Sequence, residues 1–576
     1  MRLGLKFLPC LPLMALCACA SGGPSGGPAA PTPVARRATD DTSPYGLFLE
    51  GQAAAHQGQS DAASDYFGRA VAANAEGDGR FLSLHAFTAA LLAGDVGRAA
   101  DLAPTGPDAD PPMRRFGVLV RGVEALAQGD GKRARALFAG PDADPAHEAA
   151  TALLAPWAAA AAGDANASIA HPIIADAPVS QFFANLDQGK LFERAKRYDE
   201  AETAFRALIA QGDPGGIASL NLGEMLERRG RAKDAAAIYD SALGRLGDDG
   251  PLKRARARAA AGKPAPRMAT IRQSAAHALM APASQLVAQK QGEFALAYLR
   301  LALRLDPDRD EASVMVGDIL SETHDAAAAR TAYGTPRPGS EEYLTARDKL
   351  AWSYQKAGDK ETALKIARET FAAAPADPGA AVTLADLLRA AEHYEESARV
   401  LDGVIAGAGD NPNWRLLYMR AVDFEASNRW PDAERDLQTA LKAQPDEPEL
   451  LNFLGYSWID RGVKLPQALA MVQRAVSFQP DSGAMLDSLG WAYYRMGDFK
   501  QAVEKLESAV ELEPSDPDVN NHLGDAYWHV DRKIEAQYQW RRVLTLEPSA
   551  KLKAEIDAKL KGGLTGPIKP AVVAGS

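Results

Sequence analysis

The sequence predicts an all-α solenoid, a stack of helix-turn-helix units wound into a right-handed superhelix. Three observations predict it. Prolines fall at Pro445, Pro480, Pro514 and Pro548, spaced by 35, 34 and 34 residues. Ahead of them, Gly455, Gly490 and Gly524, and then Ala468, Ala502 and Ala536, recur at the same period. The composition, 24% charged and 7% aromatic, suits helices with small contact residues. No stretch alternates apolar and polar residues as a half-buried strand would.

One unit, Leu486 to Pro514, shows why each residue type stands where it does. Gly490 and Ala502 fall where its two helices cross, and a larger side chain there would force the axes beyond the ~8–10 Å of close packing. Tyr493, Leu506 and Ala509 supply apolar faces at helical spacing. Gly497-Asp498 breaks the first helix, and Pro514 stops the second from continuing. A period of about 34 residues with small residues at these positions resembles the tetratricopeptide (TPR) repeat.

Followed along the chain, the pattern divides it as follows. Residues 1–18 read as a signal peptide, with Arg2 and Lys6 ahead of a short apolar core, Phe7 to Leu16. Leu16-Cys17-Ala18-Cys19 resembles the lipobox of bacterial lipoproteins, which implies cleavage before Cys19 and acylation of that residue. All three cysteines lie in the first 19 positions, so no disulfide framework is encoded. Residues 19–42 are a Gly/Pro/Ser/Ala-rich tether, which as a flexible coil spans about 25–30 Å. Repeat matches then cover 43–243, among them Gly51 with Phe67, Gly122 with Phe138, Gly189 with Phe205 and Gly223 with Tyr239. Breaks within 244–268 mark a joint. A central array follows over 269–411, then the most regular repeats over 412–549, a terminal helix over 550–561 and a Gly/Pro-rich tail over 562–576 read as disordered. The count is 13 or 14 units, with 81–104, 147–170 and 379–405 fitting only loosely.

The charge narrows function. A formal net charge of −11, or −13 once Arg2 and Lys6 leave with the signal, repels phosphate backbones, so nucleic acid is not the expected partner. No Gly-rich phosphate loop occurs. His147-Glu148 begins like a zinc-protease motif, but Thr151 stands where the second histidine ligand belongs. Ser353 and Lys356 match the SxxK pattern without its companion motifs. His522 and His529 share a helix face with no third ligand. The expectation is no catalytic residue, no cofactor and no metal.

Function then falls to a surface. In TPR arrays the first helix of each unit lines the concave side. The positions expected to be exposed there are Tyr418 and Glu425; Asn452, Tyr456, Ile459 and Asp460; Asp487, Trp491, Tyr494 and Arg495; and Asn521, Asp525, Trp528 and His529. Aromatic and arginine side chains on a groove are the types that dominate binding energy. Asn452 and Asn521 are suited to an extended peptide backbone. Packing between neighbouring repeats is the competing account of Trp491, Trp528 and Tyr494. The Lys/Asn carboxylate clamp of cytosolic chaperone partners is missing, since Asp487 and Trp491, or Asn452 and Tyr456, occupy its places.

The block Leu450 to Trp528, with LLNFLGYSWIDRG, MLDSLGWAYYRMGDF and NNHLGDAYW, resembles a family of Gram-negative outer-membrane TPR lipoproteins. Some of that family are adaptors for periplasmic carboxy-terminal-processing proteases, which they bring together with peptidoglycan hydrolases. The resemblance implies a non-enzymatic scaffold held at the outer membrane by acylated Cys19, facing the periplasm. The alternative is a structural assembly factor for outer-membrane secretion, pilus or polysaccharide machinery.

Overall fold

The computed structural model describes residues 43–74, 79–104, 109–140, 148–170, 174, 178–247, 250–407, 409 and 413–564. The signal peptide, Cys19, the tether, His147 and the tail beyond Leu564 lie outside the described residues. Among the described residues there are helices and no strands. Fourteen antiparallel helix pairs run from Pro44–His56 with Ser60–Ala73 to Pro517–His529 with Lys533–Leu544. A single helix, Gly250–Ala260, closes the sixth pair, and another, Ala550–Gly562, closes the last. The three loosely fitting stretches each form a pair, although Ala165–Ser168 is a single turn.

The pairs close through a steric rule. A Cβ on Gly51 would lie 2.8 Å from the Phe67 ring, one on Gly189 2.6 Å from Phe205, and one on Gly490 2.6 Å from Leu506. Gly122 against Phe138, Gly223 against Tyr239, Gly317 against Tyr333 and Gly524 against Trp540 are at least as tight. In each case the partner stands sixteen residues on. The glycine lets the second helix seat a large side chain against the first helix's backbone, burying it from water.

The turn inside every pair contains a left-handed residue. Gly497 takes φ 85° without penalty, but six turns use other residues: Lys196, Lys290, His324, Glu392, Asn428 and Asp531. Between pairs, the residue before each proline is pushed out of the helical region, as at Gln444 (φ −133°, ψ 77°), Gln479 (−133°, 73°) and Glu513 (−126°, 65°). That is why the second helices end where they do.

One feature departs from a stack in which each repeat touches only its neighbours. The pair Ile271–Ala288 with Gly292–Leu305 packs on the first helices of four earlier pairs: Arg80–Ala93, Pro111–Ala127, Glu148–Ala161 and Pro178–Arg194. One buried core therefore runs from Phe87 through Trp157 and Leu279 to Ala492. Residues 182–259 keep a smaller core of their own, around Phe205 and Tyr239. The joint expected at 244–268 contains the helix Gly250–Ala260. The chain then runs outside any helix to Thr270, which caps the next helix, and Arg228 donates to the Pro266 carbonyl on the way. No helix among the described residues is long and apolar enough to cross a membrane.

Two glycine substitutions separate these effects. Gly490→Ala should cost about 1–3 kcal/mol by overpacking against Leu506. Gly497→Ala should cost about 1–2 kcal/mol through its left-handed backbone alone. Urea unfolding followed by tryptophan fluorescence reads both, and a Gly490→Ala variant as stable as the parent would contradict the crossing rule.

Candidate functional site

The candidate face is made by successive first helices Trp414–Ala426, Pro448–Arg461, Gly483–Met496 and Pro517–His529, followed by Ala550–Gly562. Asn413, Ser482, Asp516 and Ser549 start four of these helices by accepting from backbone N–H groups of the first turn. Each of the first four packs one side on its own second helix, which leaves another side to meet the next helix of the row.

The expected groove residues meet one another along that seam. Tyr418 stacks edge-on against Phe453, with ring centroids 5.5 Å apart. Glu425 accepts from Arg461 Nη2 at 2.6 Å. Arg495 donates to the Asp460 carbonyl at 2.8 Å. Asp487 faces His522 Nδ1 at 2.9 and 3.0 Å through its two oxygens. Trp491 lies stacked between Tyr494, at 4.6 Å, and His522, at 4.1 Å. Asn521 and Asp525 both accept from Lys559 Nζ at 2.8 Å, and Asp525 also accepts from Trp540 Nε1 at 3.0 Å. Trp528 leans on Trp540, and His529 stacks on Phe499 at 4.6 Å.

This corrects the expectation of exposure for part of the set. Asp487, Tyr494, Asn521 and Asp525 are only 5–7% exposed, and Ile459 is fully buried. The next first helix covers the earlier of these positions, and the terminal helix covers Asn521 and Asp525. Tyr418, Asn452, Tyr456, Trp491, Arg495, Trp528 and His529 are half-buried, and Asp460 is exposed. Three polar atoms on this face are buried with no hydrogen-bond partner among the described residues: Glu425 Oε2, Asn452 Oδ1 and Trp491 Nε1. Lys559 and the partners His522, Phe453 and Phe499 were not among the expected site residues. The signal for two of them is in the sequence, since Lys559 follows Asp525, and His522 follows Asp487, by about one repeat length.

The electrostatics follow from burial. Burial lowers the His522 pKa, but Asp487, Asp525 and Asp518 outweigh it and the net shift is upward. Burial raises the Asp525 carboxyl against the pull of Lys559. Burial also raises Asp518, helped by Asp516, Asp487 and Glu555. The Tyr456 phenol is pushed well up by burial and then by Asp487 and Asp460. Among the described residues no cluster of three or more His, Cys, Asp or Glu side chains is placed to hold a metal. The arrangement can recognise a polypeptide through hydrogen bonds and ring faces.

Comparison with known families decides what the units are. Residues 186–251, 345–375 and 418–483 match tetratricopeptide repeat models, and 490–530 match a TPR repeat model. The chain carries tetratricopeptide repeats. Such repeats build protein–protein interaction scaffolds, and proteins made of them are generally not enzymes. A similar protein is the TPR repeat-containing protein PA4667 of Pseudomonas aeruginosa, 26% identical over 195 residues. That alignment covers 34% of this chain and spans only 32% of the relative's length. Among solved structures, the APC/C hetero-tetramer Cut9-Hcn1 is similar at 14% identity and TM-score 0.38, covering 91% of this chain and 97% of that one. A tetratricopeptide repeat protein from Parabacteroides merdae is similar at 13% identity and TM-score 0.37, covering 44% and 97%.

The His522–Asp487 contact gives this end of the array a pH dependence with a definite sign. Because the folded pKa of His522 is raised, its stabilisation is complete below the unfolded pKa of about 6.5 and is lost as pH rises through the folded value. Amide exchange in Gly483–His529 should therefore be slower at pH 6 than at pH 8.5, after correction for intrinsic rates. His522→Gln should flatten that difference. An unchanged pH profile in the variant would assign the effect elsewhere.

Proposed function

We propose that this protein is a lipid-anchored scaffold facing the periplasm from the outer membrane, where its C-terminal repeats bind protein partners. The observation that carries the binding part is the row of half-buried aromatic side chains on four successive first helices, Tyr418, Tyr456, Trp491 and Trp528. One such side chain per repeat gives a bound chain a series of ring faces along the array, the residue type that dominates binding energy. The half-buried ring of Trp491, already held flat by Tyr494 and His522, adds an apolar anchor with little rotamer freedom left to lose.

The anchoring part rests on Leu16-Cys17-Ala18-Cys19 and the 23-residue stretch from Ala20 to Thr42 that separates it from the first helix. Several acyl chains at roughly 0.8 kcal/mol per buried CH₂ hold such a protein on a bilayer permanently. The leading partners are a periplasmic carboxy-terminal-processing protease and the peptidoglycan hydrolases it degrades. Both would be brought to a high effective concentration on one array.

Two measurements test the two parts separately. Cys19→Ser should move the protein from the membrane fraction to the soluble periplasm, and a variant still sedimenting with membranes would remove the anchor. In-cell cross-linking and capture should recover a processing protease or a cell-wall hydrolase. Recovery should fall at least tenfold for Trp491→Ala combined with Asn452→Ala while helical circular dichroism is unchanged. Equal recovery with the double variant would remove this face as the binding site.

A further inference from the structure

The pair Ile271–Leu305 stacks on the following pair as the others do, but it does not continue the stack from the helix before it. It lies across the first helices of four earlier repeats, while of their second helices only the short Val96–Leu102 reaches it substantially. That is the face on which, in the C-terminal repeats, the candidate binding residues stand. The contacts have the composition of a recognition interface. Phe116 lies 6.2 Å from Phe294 and 6.5 Å from Tyr298, and Phe183 lies 5.6 Å from His277. Arg304 grips Glu124 with two hydrogen bonds of 2.7 and 2.8 Å, and this contact is the largest influence holding the Glu124 carboxyl below its usual range. Arg300 donates to the Leu92 carbonyl at 3.0 Å, placing a cation at the C-terminal end of Arg80–Ala93. Gly94, at φ 98°, leaves space there that the Arg300 side chain approaches.

A second attachment lies at the turns. Asp325 caps its own helix by accepting from Ala328 N at 3.1 Å. Its other oxygen accepts from Ser60 N at 3.2 Å and Ser60 Oγ at 2.8 Å, at the start of Ser60–Ala73. That helix has no side-chain cap from Gln59, the residue preceding it. One buried carboxylate thus starts two helices that are 265 residues apart.

We propose that residues 271–305 are the resident ligand of the N-terminal repeats: the inner face of residues 80–194 recognises a helix pair carrying aromatic and arginine side chains, its own chain supplies that pair, and the face is closed to soluble partners. The N-terminal array then acts as a clamp on the C-terminal one, and the first helices beyond Asp310 keep their inner face for partners. The inference stands on contacts within the chain and is independent of the anchor and partners proposed above.

The test is to cut the connection and ask whether the clamp holds. A protease site placed between Lys263 and Arg267 of the full chain, cleaved after folding, gives two halves joined only by this interface. They should co-elute on gel filtration at micromolar concentration with unchanged circular dichroism. Arg304→Glu should raise the dissociation constant of the nicked halves at least tenfold, and Glu124→Arg added to it should restore most of the loss. Arg300→Glu should weaken the halves through a different contact. Separation of the unmodified nicked halves would overturn the proposal. So would co-elution indifferent to both arginine reversals, since the inner face would then not be what holds them.

Discussion

The close crossing of two helices at a small residue is the constraint on which the rest of this structure depends. Where the first helix has glycine, the position sixteen residues on is often a ring: Phe67, Phe138, Phe205, Tyr239, Tyr333 or Trp540. Where the first helix has alanine at the equivalent place, the later residue is smaller and aliphatic. Ala283 is followed by Leu299, Ala385 by Leu401 and Ala421 by Leu437, all but fully buried. The two positions trade volume, as a core at crystal-like density requires. Once that crossing is set, the spacing of the helices fixes how the next unit can stack.

Stacking then uses polar chemistry as well as apolar. Glu193 with Arg228, Glu227 with Arg258, Asp423 with Arg389, Glu425 with Arg461, Asp487 with His522 and Asp525 with Lys559 each join one first helix to the next. Most of these contacts are hydrogen-bonded and at least partly shielded from water. Removing one partner leaves a charge uncompensated, which costs far more than breaking an exposed pair. The bonds therefore specify the register of neighbouring repeats rather than adding much net stability. Lys559 extends the series onto the terminal helix, which occupies the place of a fifteenth first helix and covers acidic groups that would otherwise face solvent.

Much of this was legible in the sequence because it is periodic. Gly490, Ala502 and Pro514 encode the crossing and the stop locally, so the regular repeats could be read residue by residue. The turns were harder. Glu392 and Lys290 sit left-handed where glycine is the recognisable signal, because packing on both sides over-determines the backbone there. The exposure of Asp487, Asn521 and Asp525 was misjudged for another reason. A single repeat shows which face its first helix turns outward, but the next first helix decides how much of that face remains. The placement of residues 271–305 was not legible at all, since Phe116, Glu124, Arg300 and Arg304 are joined across some 180 residues and no period relates them.

That non-periodic contact changes how the array divides its work. A solenoid held only by neighbours bends along its length, and every inner face is equally available. Here Arg304 on Glu124, Arg300 on the Leu92 carbonyl and Asp325 on Ser60 tie three separate points of the early repeats to two consecutive later pairs. Three attachments restrict rotation as well as translation, so the two arrays share one core rather than a hinge. The early repeats spend their inner face on this fixation. The later first helices keep theirs, with the half-buried rings of Tyr418, Tyr456, Trp491 and Trp528. The asymmetry between a closed and an open face therefore follows from which helices received the second contact, with no difference in repeat type needed to produce it.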